Sequence, residues 1–148
     1  MAQGDFVVFD QFIHDLGQKL HDLDTDTFKI GFTDGTTTPA TTTADPRWGA
    51  GGTTNFSTEE VTGGNYTAPI TLTTVAWSAA AAPAWSSDDV SYAADGANPT
   101  TIEWGIVYND TDAGKRAVGY LDLNGGLDLD TTGGLTITVT NWFTANQA

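Results

Sequence analysis

Acidic residues at regular spacing are the first candidates for chemistry in this sequence. The segment 110–114, Asp-Thr-Asp-Ala-Gly, begins like a calcium-binding loop. An EF-hand loop places its glycine sixth and a bidentate glutamate twelfth, because those positions form the sharp turn and complete the coordination of the ion. Here the glycine is fifth and Leu121 is twelfth, so the calcium motif is incomplete. The Asn, Asp and Gly content of 109–114 predicts instead a hairpin turn held by side-chain hydrogen bonds to the backbone.

The other acidic residues and the histidines give no stronger metal site. Acidic residues alternate over 22–26, and Asp128 and Asp130 repeat the pattern. Such carboxylates share one face of an extended strand, where a cation could bridge them weakly. A solvated acidic edge that keeps neighbouring molecules from pairing is the favoured interpretation. His14 and His21 are seven residues apart but have no third ligand at a characteristic spacing. We therefore expect neither a metal site nor another cofactor.

Carboxylates could also serve hydrolysis. Glu59, Glu60 and Glu103 could supply the acid pair of a glycosidase, although a chain this acidic contains such residues in any case. The sequence has no Gly-x-Ser-x-Gly elbow, no phosphate-binding loop and no His-Glu-x-x-His motif. The sequence therefore predicts no catalytic residues, and the protein is not expected to be an enzyme.

Five tryptophans are many for 148 residues. Each offers a large apolar area and one N–H donor. Trp77 and Trp104 lie in segments with an apolar pattern, so we expect them in the core. Trp48 and Trp85 lie in loop-like surroundings, where packing, a protein interface and stacking on sugar rings are all open. We take these two as candidate interface residues.

The elements that must position these side chains begin with one helix. Apolar residues at helical spacing indicate an amphipathic helix within 1–25, and they are Phe9, Phe12, Ile13, Leu16, Leu20 and Leu23. Gly17 weakens this helix by ~1 kcal/mol relative to alanine, so its apolar stripe needs a partner surface. Phe9 and Phe12 complete the set of candidate interface residues.

The remainder, 26–148, has the pattern of β-strands. Residues 34–57 form a long loop rich in Thr, Gly, Ala and Pro, which is either functional or loosely ordered. Strand-like segments are 28–32, 70–77, 90–92, 102–108, 118–123 and 135–143. The sequence therefore predicts a single domain over 1–148 that is mainly β. We expect an antiparallel, jelly-roll-like β-sandwich with the helix over one face or end.

Charge and composition restrict the possible partners. The chain carries 19 acidic and 5 basic residues, a net charge of −14. Clustered Lys and Arg are needed to bind phosphates, so nucleic acid and anionic membranes are not expected partners. There is no cysteine to form a disulfide. The N-terminus has no signal-peptide pattern, and no apolar run could span a membrane. We expect a soluble protein made in a cytoplasm.

Short motifs follow the amphipathic segment in a fixed order. They are Asp26-Thr27-Phe28-Lys29-Ile30, the turn Gly63 to Thr67, the segment Ser87 to Val90, Tyr108 to Asp110, Gly119 to Asp122, and the Thr-rich strand Leu135 to Thr144. In this order, over nearly the whole chain, they resemble a family of small virion proteins of tailed bacteriophages. Residues 34–57 have no counterpart in that pattern.

The resemblance implies a capsid decoration (cement) protein that binds the outer capsid surface and stabilises the phage head. The implied partner is the major capsid protein, and the implied state is a homo-oligomer, with a trimer favoured. The protein would be made in the host cytoplasm and reside on the virion. The family has no catalytic residues to carry over. The alternative is a tail- or fibre-associated module that binds host glycan through Trp48 or Trp85.

Overall fold

The computed structural model describes residues 4–79, 81–127 and 134–145. The fold is mainly β, with several antiparallel sheets and one α-helix near the N-terminus, as the sequence predicts. Its elements are β1 (Phe6–Val8), α1 (Asp10–Gly17), β2 (Phe28–Thr33), β3 (Pro46–Arg47), β4 (Thr54–Asn55), a 3-10 helix (Phe56–Glu59), β5 (Ile70–Thr71), β6 (Ala76–Ser78), β7 (Ala84–Ser86), β8 (Val90–Ala93), β9 (Ile102–Asn109), β10 (Ala117–Leu127), β11 (Gly134–Ile137) and β12 (Phe143–Thr144).

A five-stranded antiparallel sheet lies at the centre, in the order β1-β10-β9-β2-β5. β9 and β10 form the hairpin that the sequence predicts, with Tyr108 opposite Ala117. β2 pairs with the other side of β9, with Ile30 opposite Val107. Both strands are buried along nearly their whole length. Because successive side chains point to opposite faces, both faces of this sheet must be covered.

Two smaller antiparallel sheets, β12-β7-β6 and β11-β8, cover one face. The Phe28 ring lies 4.8 Å from Trp85 of β7, and the Phe32 ring lies 5.8 Å from Tyr92 of β8. Since Phe28 and Phe32 are four residues apart in one strand, they share a face. The two layers give the fold a sandwich-like arrangement.

The long loop covers the opposite face. Trp48 lies over Gly31, where an added Cβ would stand 2.2 Å from the indole ring. The indole also stacks on Tyr108 at 5.4 Å and 6°. Trp48 therefore anchors the loop to the sheet, and it fits only because the strand beneath it carries a glycine.

The prediction gives the helix the wrong extent, since the helix in the structure is shorter. Residues 6–8, Phe-Val-Val, form the edge strand β1, with Phe6 opposite Leu121. The helix ends at Gly17, and Lys19 takes a left-handed φ of 62°. Leu23 is buried outside the helix. The apolar spacing thus continues past the residue at which the helix stops.

Two predicted strands are interrupted. Segment 70–77 divides into β5 and β6, with Thr74 at a φ of 52° between them. Thr73 and Thr74 donate hydrogen bonds to the Asp88 carboxylate at 3.0 and 2.6 Å, which fixes this bend. Segment 135–143 divides into β11 and β12. Within the part of the chain described, no helix has the length and apolar character needed to span a membrane.

Candidate functional site

The four candidate interface residues lie inside the fold. Phe9, Phe12 and Trp85 are fully buried, and Trp48 is 7% exposed. Phe9 packs on Tyr120 at 5.1 Å. These side chains therefore build the chain's own core, and the expectation that they form an exposed interface is corrected.

Long-range packing explains the burial of Trp85. Its ring Nε1–H donates to the carbonyl of Leu23 at 3.0 Å, so the indole is buried without leaving its donor unpaired. The sequence places Trp77 and Trp104 in the core, yet both are only partly buried. Trp48 and Trp85, for which the sequence leaves packing open as one alternative, are thus more deeply buried than the two tryptophans expected in the core. The pattern of neighbouring residues could not predict the contact between Trp85 and Leu23, because these residues are 62 positions apart.

The acidic turn after β9 is an Asx turn, as predicted. The side-chain Oδ1 of Asn109 accepts hydrogen bonds from the backbone N–H groups of Thr111 and Asp112, at 2.9 and 3.1 Å. Because this oxygen is occupied, the amide nitrogen of Asn109 must face the other way. The turn therefore needs no metal ion to hold its shape.

The carboxylates of this turn are paired with the chain's own cations. Asp110 forms ion pairs with Lys29 at 2.9 Å and Lys115 at 2.7 Å, and Asp112 pairs with Arg116 at 2.7 Å. Partial burial raises the pKa of Asp110, but hydrogen bonds from both lysines outweigh it and lower the pKa overall. Among the described residues, no group of three or more potential ligands could hold a metal. Asp128 and Asp130 lie outside the described residues.

A buried polar network joins α1 to this turn. Asp15 is 3% exposed and accepts a hydrogen bond from the Gln11 amide at 2.8 Å. Its second carboxylate oxygen lies 3.6 Å from Nε of Arg116, which also holds Asp112. One arginine thus connects the helix and the hairpin, and its positive charge compensates the negative charge of the buried Asp15 carboxylate.

His21 lies at the centre of the network in a defined protonation state. The Asn109 amide nitrogen donates to Asp26 at 2.6 Å and lies 3.1 Å from Nδ1 of His21. Since that nitrogen is a donor, Nδ1 must accept, and the ring proton resides on Nε2. Nε2 is buried and has no hydrogen-bond partner.

Burial lowers the pKa of His21 below its ordinary 6.5. The carboxylates of Asp15, Asp112 and Asp26 oppose this effect, and Arg116 adds to it. Charging the ring would also place an Nδ1–H against the Asn109 amide N–H, so two donors would face each other. The network therefore holds a neutral imidazole.

A groove with a volume of about 510 Å³ lies beside this network. It is lined by apolar and charged side chains, namely Leu16, Lys19, His21, Asp22, Leu23 and Trp77. The helix end and the following turn supply all of them except Trp77, which comes from β6. A ligand in this groove would meet an indole, two leucines and one charge of each sign.

Two of the three glutamates considered for hydrolysis hold loops. Glu59 accepts hydrogen bonds from the backbone and the hydroxyl of Thr37, the first at 2.8 Å. Glu60 accepts from the Tyr66 hydroxyl at 2.6 Å, and that hydroxyl accepts from the N–H of Phe32 at 3.0 Å. Burial raises the pKa of Glu60 above its ordinary value, and the hydrogen bond from Tyr66 offsets only part of this rise. These carboxylates thus fasten the loops at 37 and 66 to the sheet.

Comparison of the chain with protein families, with curated proteins and with solved structures finds no match. A function for this chain must therefore be argued from its own residues.

Proposed function

We propose that this chain is a structural protein of a bacteriophage virion that decorates the outer capsid surface and stabilises the head. The ordered series of motifs between residues 26 and 144 carries the proposal, because it resembles a family of small virion proteins. Each motif is short, and their order along one chain is the informative part.

The motif residues have structural roles that support this proposal. Phe28 and Tyr66 are fully buried, and the hydroxyl of Tyr66 joins β2 to Glu60. Gly64 has a φ of 52°, and a Cβ at Gly63 would lie 2.2 Å from the Ala97 carbonyl, so this turn requires its glycines. Part of the resemblance thus rests on residues that the fold needs, while other motif residues, such as Thr27, Asn65 and Asp122, are exposed.

The charge of the chain suits a protein that must stay dispersed before it docks. With 19 acidic and 5 basic residues, free copies repel one another. On a capsid, the major capsid protein would supply identical docking sites at symmetric positions. Several weak contacts within a homo-oligomer, with a trimer favoured, then give strong attachment through avidity.

Quantitative mass spectrometry of purified virions tests the proposal. A decoration protein is expected at a copy number comparable to that of the major capsid protein. A tail- or fibre-associated module would be far scarcer, so a low copy number would favour that alternative. Absence of the chain from purified particles would contradict both.

A further inference from the structure

We propose that the groove beside the end of α1 is a binding site for neutral saccharides. Its volume of about 510 Å³ is within the range of roughly 300–1,000 Å³ found for small-molecule sites. Such sites combine apolar walls with a few convergent polar groups. This inference goes beyond capsid decoration and does not depend on it.

Trp77 supplies the apolar platform. It lies in β6, paired with Trp85 of β7, and its ring packs on Phe143 at 5.8 Å. Its backbone N–H points to the Asp24 carboxylate at 3.5 Å. The indole is therefore held on a strand while remaining partly exposed at the groove. A rigid aromatic surface of this kind can stack on the apolar face of a sugar ring.

The charged side chains at the groove suit a ligand with hydroxyl groups. Lys19 and Asp22 are both exposed and both line the groove. Backbone and side-chain hydrogen bonds from Asp24 and Thr25 lower the pKa of Asp22, so its carboxylate remains an acceptor. The ammonium of Lys19 is a donor. A ligand that carries donors and acceptors around an apolar ring can use both, and the two charges cancel.

His21 gives an independent indication of a ligand. It lines the groove and is 6% exposed, and its Nε2–H has no partner in the structure. A buried donor without a partner costs stability. Nε2 has almost no accessible surface, so a ligand oxygen recovers that cost only if the ring turns or its cover shifts as the ligand binds. Because Asn109 fixes the proton on Nε2, the ring offers no free lone pair to a metal ion. Acidic neighbours, Asp22 and Asp26, disfavour anions. A neutral ligand oxygen fits these conditions.

An array of neutral and acidic oligosaccharides, probed with the labelled full-length chain, tests the proposal. We expect binding to neutral members, confirmed by titration in solution. Trp77→Ala is expected to weaken that binding about tenfold or more. Trp77→Phe, which keeps an aromatic face, should retain most of it. Trp104→Ala is the matched control, since it removes another partly buried indole that does not line the groove, and it should bind as the unaltered chain does.

Several results would overturn the proposal. One is a lack of binding to any neutral saccharide. Another is that Trp77→Ala binds with the same affinity as the unaltered chain while melting curves show that both are folded. Preference for acidic saccharides would also contradict it. A parallel array of apolar peptides that alone shows Trp77-dependent binding would identify a peptide groove instead.

Discussion

At the scale of single residues, His21 connects the fold to pH. The folded chain holds the imidazole neutral, because burial lowers its pKa and the Asn109 amide occupies the Nδ1 lone pair. In the unfolded chain the pKa returns to its ordinary value of 6.5. Above that pH the ring is neutral in both states, so the full stability is present.

As the pH falls below 6.5, the unfolded chain takes up a proton that the folded chain refuses. The free energy of unfolding therefore decreases until the pH passes the lower folded pKa. We expect the melting temperature to fall as the pH is lowered below about 6.5, and to fall less in His21→Gln. His14→Gln, at a histidine whose side chain is 62% exposed, is the control. Parallel profiles for the unaltered chain and His21→Gln would contradict this assignment.

Trp85 is expected to contribute more stability than Trp104. Truncation of Trp85 empties a fully buried site beside Phe28 and leaves the Leu23 carbonyl without its donor. Trp85→Ala should therefore cost about 4 kcal/mol. Trp104 is partly exposed, so Trp104→Ala should cost at least about 1 kcal/mol less. Urea denaturation of both variants measures the difference, and equal losses would place Trp104 in the core as the sequence pattern suggests.

At the scale of elements, two glycines have opposite roles. Gly31 leaves room for the Trp48 ring, which an alanine Cβ would meet at 2.2 Å. Gly31→Ala should therefore displace the indole from Tyr108 and cost about 2 kcal/mol or more. Gly17, the last residue of α1, has no atom within 4 Å of an added Cβ. Gly17→Ala should be neutral or stabilising by up to ~1 kcal/mol.

Thermal melting of the two variants side by side tests these expectations. The substitution is the same in both, so the difference reports the surroundings of each glycine. A loss of stability in Gly17→Ala would mean that the helix end is strained by a side chain there. Tolerance of Gly31→Ala would mean that Trp48 repacks freely, and the loop would then be less tightly held than its stacking on Tyr108 indicates.

The sequence predicts the elements whose periodicity agrees with the local backbone. Alternation over 28–32 and 102–108 corresponds to β2 and β9, and the polar turn after Asn109 corresponds to the hairpin. The helix is mispredicted because the apolar spacing continues through Leu20 and Leu23 after the chain has left the helix. Spacing records which side chains are buried, and a turn can bury them as well as a helix can.

The groove was the least predictable feature. Its lining comes from residues 16–23 and from Trp77, and only the folded chain brings them together. The neutral state of His21 likewise depends on Asn109, 88 residues away. Sequence spacing shows the chemistry of each side chain separately, but packing decides which of them meet.

At the scale of the whole molecule, the chain keeps a net charge of −14, but the carboxylates of the turn after β9 are paired with the chain's own cations. Asp110 and Asp112 already pair with Lys29, Lys115 and Arg116. We therefore expect the melting temperature to change by less than about 1 °C between chelator and millimolar calcium, since a ligand that binds only the folded state must raise it. Calorimetry in both buffers tests this. A clear calcium-dependent rise would mean that acidic residues form a site, and Asp110→Asn would show whether this turn contributes.

The edge of β2 that faces away from β9 determines how crowded copies of this chain can associate. Its backbone groups are used by successive irregular segments: Leu72 donates to Phe28, β5 pairs with Ile30, and Val61 donates to Phe32. An edge occupied in this way offers no free row of N–H and C=O groups to a strand of another molecule. Along this edge, copies cannot grow into a continuous intermolecular sheet, so contacts there must use side chains. Many copies of the chain can therefore lie close together without forming fibres through the edge of β2.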